Sequence, residues 1–157
     1  MTTRAAALLR ATALAGALLL ASGCAVFSPV QTDYAYQAAD GPSLDTGDLR
    51  FGNLVVVAAE EGGDGVLVGQ AVNESAEAAE VTFALGEGAP TRRTIPASSG
   101  GSLSEGGSPV VLSGVPARPG QLVQLTVTTP QSGPNVIQVP VLAPTGYYEQ
   151  YTVPAAG

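Results

Sequence analysis

Residues 122–142, LVQLTVTTPQSGPNVIQVPVL, carry the pattern that decides the fold. From Val123 to Thr128 apolar and polar side chains alternate, which is the two-residue period of a strand with one buried face. The residues Ile137, Val139 and Val141 repeat this alternation after a break rich in Gly and Pro. Because Pro140 has no N–H to donate to a β-ladder, it predicts a sheet edge or a bulge at that point.

The same kind of pattern extends back through most of the chain. Short β-rich runs are separated by Gly, Pro and Ser, and no segment has a helical apolar stripe. Ser98–Ser108 is predicted to be a flexible loop of low complexity. The predicted strands are Leu49–Ala59, Val66–Asn73, Glu80–Leu85, Arg92–Ala97, Pro109–Ser113, Leu122–Thr129 and Val136–Leu142. Seven short strands of this spacing predict a single all-β domain, an antiparallel β-sandwich.

The N-terminus has the features of a targeting segment. Arg4 and Arg10 precede an apolar run from Ala11 to Ala21, which is too short to span a hydrocarbon core of about 30 Å. Small residues then lead to Cys24, the order expected of a secretory signal peptide. The sequence Leu-Ala-Ser-Gly-Cys resembles the bacterial lipobox, although Ala21 stands where Leu is usual. It predicts lipidation of Cys24; the alternative is an ordinary signal peptide with an incidental Cys.

These observations divide the chain into four segments. Residues 1–23 are predicted to be a lipoprotein signal peptide, and 24–47 the lipidated N-terminus and a flexible tether. Residues 48–143 form the β-sandwich domain, and 144–157 a Tyr-rich C-terminal tail. Two acyl chains on Cys24 suffice for stable anchoring, so the predicted location is the extracytoplasmic face of the cell membrane.

Composition excludes several classes of function. The 157 residues include no His, no Lys, one Cys and one Met, and carry a net charge of −7. A Ser-His-Asp or Cys-His nucleophile, a Schiff base and a His-ligated metal are therefore excluded. The negative charge argues against nucleic acid as a partner. We expect no enzymatic activity, no cofactor and no metal site; thirteen carboxylates leave a carboxylate-only hydrolase as a third, weaker class.

Three local features are candidates for chemistry or binding. The acidic turn Glu60–Asp64 offers oxygen ligands, but it has no Ca²⁺-loop spacing and is better explained as a solvated turn. Ser102 and Ser104 lie in a Gly-rich segment without a base to activate them. The residues Tyr147, Tyr148 and Tyr151 are candidates for partner binding, because Tyr suits surfaces that are part apolar and part wet. Alternatively, these rings pack back over the open end of the sandwich.

The order of features from the tether to the tail resembles that of small actinobacterial lipoproteins whose domain is related to PCu(A)C-type periplasmic copper chaperones. The resemblance covers about residues 31–153. It rests on Gln31-Thr32-Asp33, Tyr36, Ala39-Asp40-Gly41, Gly47, Arg50, Asn53 to Val57, Gly65 to Gly69, Val72-Asn73 and Tyr147-Tyr148.

This resemblance implies a Greek-key sandwich of the cupredoxin or immunoglobulin type with seven to eight strands. In the family, His and Met side chains hold copper. Here no His is present, and the one Met is Met1, within the predicted signal peptide. Cu(I) prefers thiolate, thioether and imidazole ligands, so the family's metal site does not carry over to this sequence.

Together these observations predict a lipid-anchored envelope lipoprotein with a non-enzymatic binding or scaffolding domain. Its partners would be the membrane, through the anchor, and an unidentified envelope protein. The alternative is a copper- or metal-handling chaperone of the PCu(A)C-like family.

Overall fold

The computed structural model describes residues 39–105, 108–151 and 153. The predicted signal peptide, Cys24 and most of the predicted tether lie outside the described residues. Over these ranges, no helix has the length and apolar character needed to cross a membrane.

The described chain is built from nine β-strands and one short 3₁₀ helix, which confirms the all-β prediction. The strands are β1 (Leu44–Thr46), β2 (Leu49–Ala58), β3 (Gly65–Asn73), β4 (Ala79–Leu85), β5 (Thr91–Ile95), β6 (Ser99–Ser102), β7 (Val111–Leu112), β8 (Leu122–Thr129) and β9 (Gly133–Leu142). The C-terminal 3₁₀ helix spans Gly146–Gln150.

The strands form two layers joined through β9. The first sheet contains β2 and β3, with β1, β6 and β7 paired to them, and the second has the order β5-β4-β8-β9. At its end β9 pairs in parallel with β2, Val56 with Val141 and Val57 with Leu142. Strand β8 returns beside β4 after a long connection, which is the Greek-key feature. The result is a sandwich that is nearly a closed barrel.

Inward-facing side chains of both sheets form the core. The rings of Phe51 on β2 and Phe83 on β4 meet edge to face, with centroids 5.9 Å apart. Both are almost fully buried. The alternation predicted for β8 and β9 is confirmed: Val123, Leu125, Val127, Val139 and Val141 are buried, and Ile137 is half-buried.

The ordered domain begins before residue 48, the boundary predicted from the sequence. The described residues from 39 onward belong to one compact unit, and β1 lies within the segment assigned to the tether. Gly41 donates its N–H to Asn53 Oδ1 at 2.9 Å. A Cβ on Gly41 would lie 2.1 Å from the carbonyl oxygen of Leu54, so only glycine fits where this segment crosses β2.

The prediction of a flexible loop over Ser98–Ser108 is wrong for the first half of that segment. Residues Ser99–Ser102 form β6, which pairs with β3 from Gln70 to Asn73. A Cβ on Gly100 would lie 3.3 Å from a methyl group of Val72, so the small residues allow close approach of the two strands. The backbone ladder defines this strand, and SGGS has no side-chain period that could have indicated it.

Pro140 lies where β9 changes its partner. It is paired with Leu122 of β8, and the next residue, Val141, is paired with Val56 of β2. A residue without an N–H is tolerated at this position because the ladder passes from one sheet to the other there.

Asn73 links the two sheets at the end of β3. Its side chain is 1% exposed, and its Nδ2 donates to the carbonyl oxygens of Glu77 at 2.8 Å, Ile95 at 3.2 Å and Pro96 at 3.1 Å. Its Oδ1 accepts from the N–H and hydroxyl of Ser75, at 3.0 and 2.7 Å. One amide thus satisfies polar groups of two separate segments, residues 75–77 and residues 95–96.

Replacing Asn73 by Asp keeps the size of the side chain but removes its donor. A buried carboxylate would then face three carbonyl oxygens, and we expect the free energy of unfolding to fall by about 3 kcal/mol or more. Urea denaturation measures the loss. Gln70→Glu, the same chemical change at an exposed position of the same strand, should cost under about 0.5 kcal/mol. Equal losses in the two variants would contradict the role given to Asn73.

Candidate functional site

The C-terminal 3₁₀ helix covers the outer face of the first sheet. Tyr148 and Tyr151 are 9% and 8% exposed, and they form a second apolar cluster on the side of the sheet opposite the main core. The other buried members of this cluster are Val55, Val57, Val66 and Val68. The alternating residues of β2 and β3 therefore serve two cores, which explains why these strands are apolar on both faces.

The phenol groups of this tail reach two carboxylates from distant parts of the chain. The hydroxyl of Tyr148 donates to Asp40 at 2.6 Å, and that of Tyr151 to Glu105 at 3.1 Å. The hydroxyls of Tyr147 and Tyr151 are 3.4 Å apart. The rings of Tyr147 and Tyr148 meet edge to face, with centroids 5.2 Å apart. These contacts fix the tail to the start and to the middle of the domain.

Both buried phenols are held in their neutral form. Burial, together with the hydrogen bond to Asp40, raises the pKa of Tyr148 from 10.0 to about 12. The hydrogen bond with Tyr147, burial and the bond to Glu105 raise the pKa of Tyr151 above 10.0. A neutral phenol donates its proton to a carboxylate, so the cluster is a set of structural hydrogen bonds at ordinary pH.

The three Tyr residues predicted to bind a partner differ in their exposure to solvent. Only Tyr147, 70% exposed, is available to another molecule. The packing alternative describes Tyr148 and Tyr151, although they cover the outer face of the first sheet and not the open end of the sandwich. Sequence reasoning missed Asp40 and Glu105, which lie 108 and 46 residues from their Tyr partners. No local pattern could have indicated contacts over such distances.

A cavity adjoins Tyr151. It has a volume of ≈ 280 Å³, and Val57, Glu60, Asp64 and Pro144 contribute to its lining. Sites for small molecules usually enclose about 300–1,000 Å³ and hold several convergent polar groups. This cavity is therefore small for an organic ligand, and its two carboxylates come from an exposed turn.

The acidic turn between β2 and β3 is occupied by contacts within the protein. Glu61 forms an ion pair with Arg118 at 2.9 Å, and Asp64 accepts from the N–H of Gly114 at 3.3 Å. Within residues 39–105, 108–151 and 153, no three His, Cys, Asp or Glu side chains are grouped as a metal site would require.

The Ser pair and two Arg side chains of β5 form local contacts. The hydroxyls of Ser102 and Ser104 lie 3.0 Å apart and hydrogen-bond each other. On β5, Arg92 lies 3.9 Å from Glu80, and Arg93 donates to the carbonyl oxygen of Ser108. None of these arrangements activates a nucleophile.

The fold is that of PCuAC domains. Solved structures similar to this chain include the copper-bound PCuAC domain from PmoF2 (20% identity, TM-score 0.52, covering 66% of this chain and 99% of that one) and the apo PCuAC domain from PmoF1 (16%, 0.54, 66% and 100%). A third is the apo PmoF2 PCuAC domain (20%, 0.52, 67% and 98%). No protein-family model matches the chain, and no curated protein matches it in sequence.

The side chains of this domain do not fit a copper centre of the His and Met type. The 157 residues contain no His, and the one Met and one Cys, Met1 and Cys24, both precede the described residues. The side chains of the described part that could coordinate a metal are carboxylate, phenol, hydroxyl and amide groups, whereas Cu(I) prefers soft thiolate and thioether ligands or imidazole. The fold therefore matches that of PCuAC domains, but the available ligands do not suit Cu(I).

Alkaline pH should release the Tyr tail. The pKa of Tyr148 is higher in the folded than in the unfolded protein, so its contribution to stability is fully present below about pH 10 and is lost as the pH rises through about 12. We expect Tyr148→Phe to cost about 1–2 kcal/mol at pH 7 and to flatten the fall in stability above pH 10. Urea denaturation from pH 7 to about pH 11.5 measures both effects.

Tyr147→Phe is the matched control, because Tyr147 is exposed and has no carboxylate partner in the described structure. It should leave the pH dependence due to Tyr148 in place. A Tyr148→Phe protein as stable as the wild type at pH 7, with the same alkaline profile, would contradict the contact with Asp40.

Proposed function

We propose that this chain is a lipid-anchored envelope protein whose PCuAC-fold domain acts by binding another molecule and not by catalysis. The observation that carries the proposal is the combination of a PCuAC fold with a side-chain set that has no imidazole and, in the described domain, no sulfur. A domain of this kind retains a folded surface for recognition without the metal ligands of the family.

Several features support a non-enzymatic domain. The sequence has no His and no Lys, and the hydroxyls of Ser102 and Ser104 hydrogen-bond each other. The two strongly shifted pKa values belong to phenols that donate to carboxylates within the protein. Groups of this kind stabilise a fold and do not transfer protons near neutral pH.

Copper handling is the second candidate function, and the structural neighbours favour it over general scaffolding. One neighbour is described as copper-bound, and the likeness extends over nearly the whole length of that domain. Since the described residues offer oxygen ligands alone, copper would have to be held by ligands of a partner protein. In this scheme the domain would recognise the copper-bearing partner and supply no ligand of its own.

A copper titration tests whether the domain itself binds the metal. We expect the protein lacking residues 1–24 to show no stoichiometric binding of Cu(I) or Cu(II) at micromolar concentration, because it contains no soft donor. Isothermal titration calorimetry and competition with a chromophoric chelator measure binding. The PmoF2 domain, whose structure contains copper, is the positive control. Binding of one copper ion per chain at micromolar or tighter affinity would overturn the proposal for a metal-free domain.

The anchor is tested by Cys24→Ser in the full-length chain. We expect loss of the acyl mass and release or mislocalisation of the protein, since the thiol that carries the lipid is gone. Intact mass spectrometry and membrane fractionation are the measurements. Ser28→Ala, a change in the tether beyond the modified residue, should retain both the lipid and the location. Membrane retention of the wild-type protein without acyl mass would contradict the lipid anchor.

A further inference from the structure

The exposed side of the β8–β9 pair is a surface without charge. Outward-facing residues along the two strands form four cross-strand pairs: Leu122 with Pro140, Gln124 with Gln138, Thr126 with Val136, and Thr128 with Pro134. We call these eight residues the β8–β9 outer face. None of them is charged, although the protein has 13 acidic and 6 basic residues.

This face also carries large apolar side chains in contact with water. Leu122 is 63% and Val136 is 60% exposed. Four large apolar residues of the described chain are exposed, and two of them lie here; the others are Val72 and Tyr147 on the first-sheet side of the protein. The adjoining strand β4 continues the uncharged surface with Thr82 and Ala84, which pair with Thr128 and Thr126.

We propose that the β8–β9 outer face is a self-association surface that binds the same face of a second copy of this chain. Charge supports this occupant. Two copies of net charge −7 repel each other over most of their surfaces, and an uncharged face lets them approach without placing like charges in contact. A strongly basic or acidic partner would gain nothing from this face, because it offers no opposite charge.

The positions of the apolar residues fit a two-fold arrangement. Leu122 and Val136 lie two pairs apart on neighbouring strands, about 14 Å from each other by ordinary strand spacing. A two-fold axis that lies in the plane of the contact and crosses the line between these residues at right angles, at its midpoint, brings Leu122 of each copy onto Val136 of the other. In such an isologous contact each residue pair occurs twice.

The residues at the centre of the face can form hydrogen bonds with the same residues of a second copy. The pair Gln124 and Gln138 lies between the two apolar positions, and therefore near the two-fold axis. A primary amide has both donor and acceptor atoms, so each Gln can hydrogen-bond an amide of the second copy. The Gln side chains at the centre of the contact would then have hydrogen-bond partners across it.

The size of the face sets the expected strength of association. Eight residues of β8, eight of β9 and the four of β4 that pair with β8 cover roughly 300 Å² per copy, or about 600 Å² in total. This area is below that of standard specific interfaces, so the complex is expected to be weak and transient. We therefore expect a dissociation constant between about 10 μM and 1 mM.

Sedimentation equilibrium of the protein lacking residues 1–24, from about 10 μM to 1 mM, tests the proposal. We expect the mass to rise from one chain towards two with concentration. Leu122→Asp and Val136→Asp should each raise the dissociation constant at least tenfold, because each places two carboxylates in the contact. Val72→Asp, the same change at a residue 39% exposed on β3, should leave association unchanged.

The double variant Leu122→Asp with Val136→Arg tests the pairing itself. If Leu122 meets Val136 of the second copy, association should return in this variant and should weaken as salt is added. Urea denaturation confirms that each variant is folded. A wild-type protein that stays monomeric at the highest concentration would overturn the proposal, and so would dimers that persist in both Asp variants.

Discussion

The strand β9 belongs to both sheets, and the rest of the structure depends on this double pairing. Its first eight residues pair with β8, and its last two lie in parallel beside β2. Because it joins the layers at one side, the apolar faces of both sheets close over a single core that includes Phe51 and Phe83. A described domain that contains no Cys for a disulfide is therefore held mainly by packing and backbone pairing.

The sequence predicted the strands in which apolar and polar side chains alternate. It did not predict β1 and β6, which are recognised only by their backbone hydrogen bonds to neighbouring strands. The period of β8 and the residues Val139 and Val141 identified buried positions correctly, since alternation reflects one face packed on the core. Strands β1 and β6 have no such period, because each contains only three or four residues, LDT and SGGS. Their existence follows from the position of β2 and β3, which local sequence does not encode.

The Tyr tail shows a similar limit for the candidate site. Composition singled out three exposed candidates, and the structure buries two of them against valines on the back of the first sheet. The continuous apolar run Leu54–Val57 was consistent with burial on both faces, but it gave no indication that the C-terminal tail packs on its outer face. The fold likeness to PCuAC domains and the absence of their ligand types were both readable from the sequence, whereas the Asp40 and Glu105 contacts were not.

The environment of Asn73 has a consequence for covalent modification. Asn73-Glu74-Ser75 has the form of an acceptor sequence for N-linked glycans. In the folded domain the Asn73 amide nitrogen is enclosed by three carbonyl oxygens, so no sugar can be attached to it there. A glycan transferred before folding would occupy the space between the sheets. In a host that glycosylates secreted chains, modification at Asn73 and formation of this domain are therefore mutually exclusive.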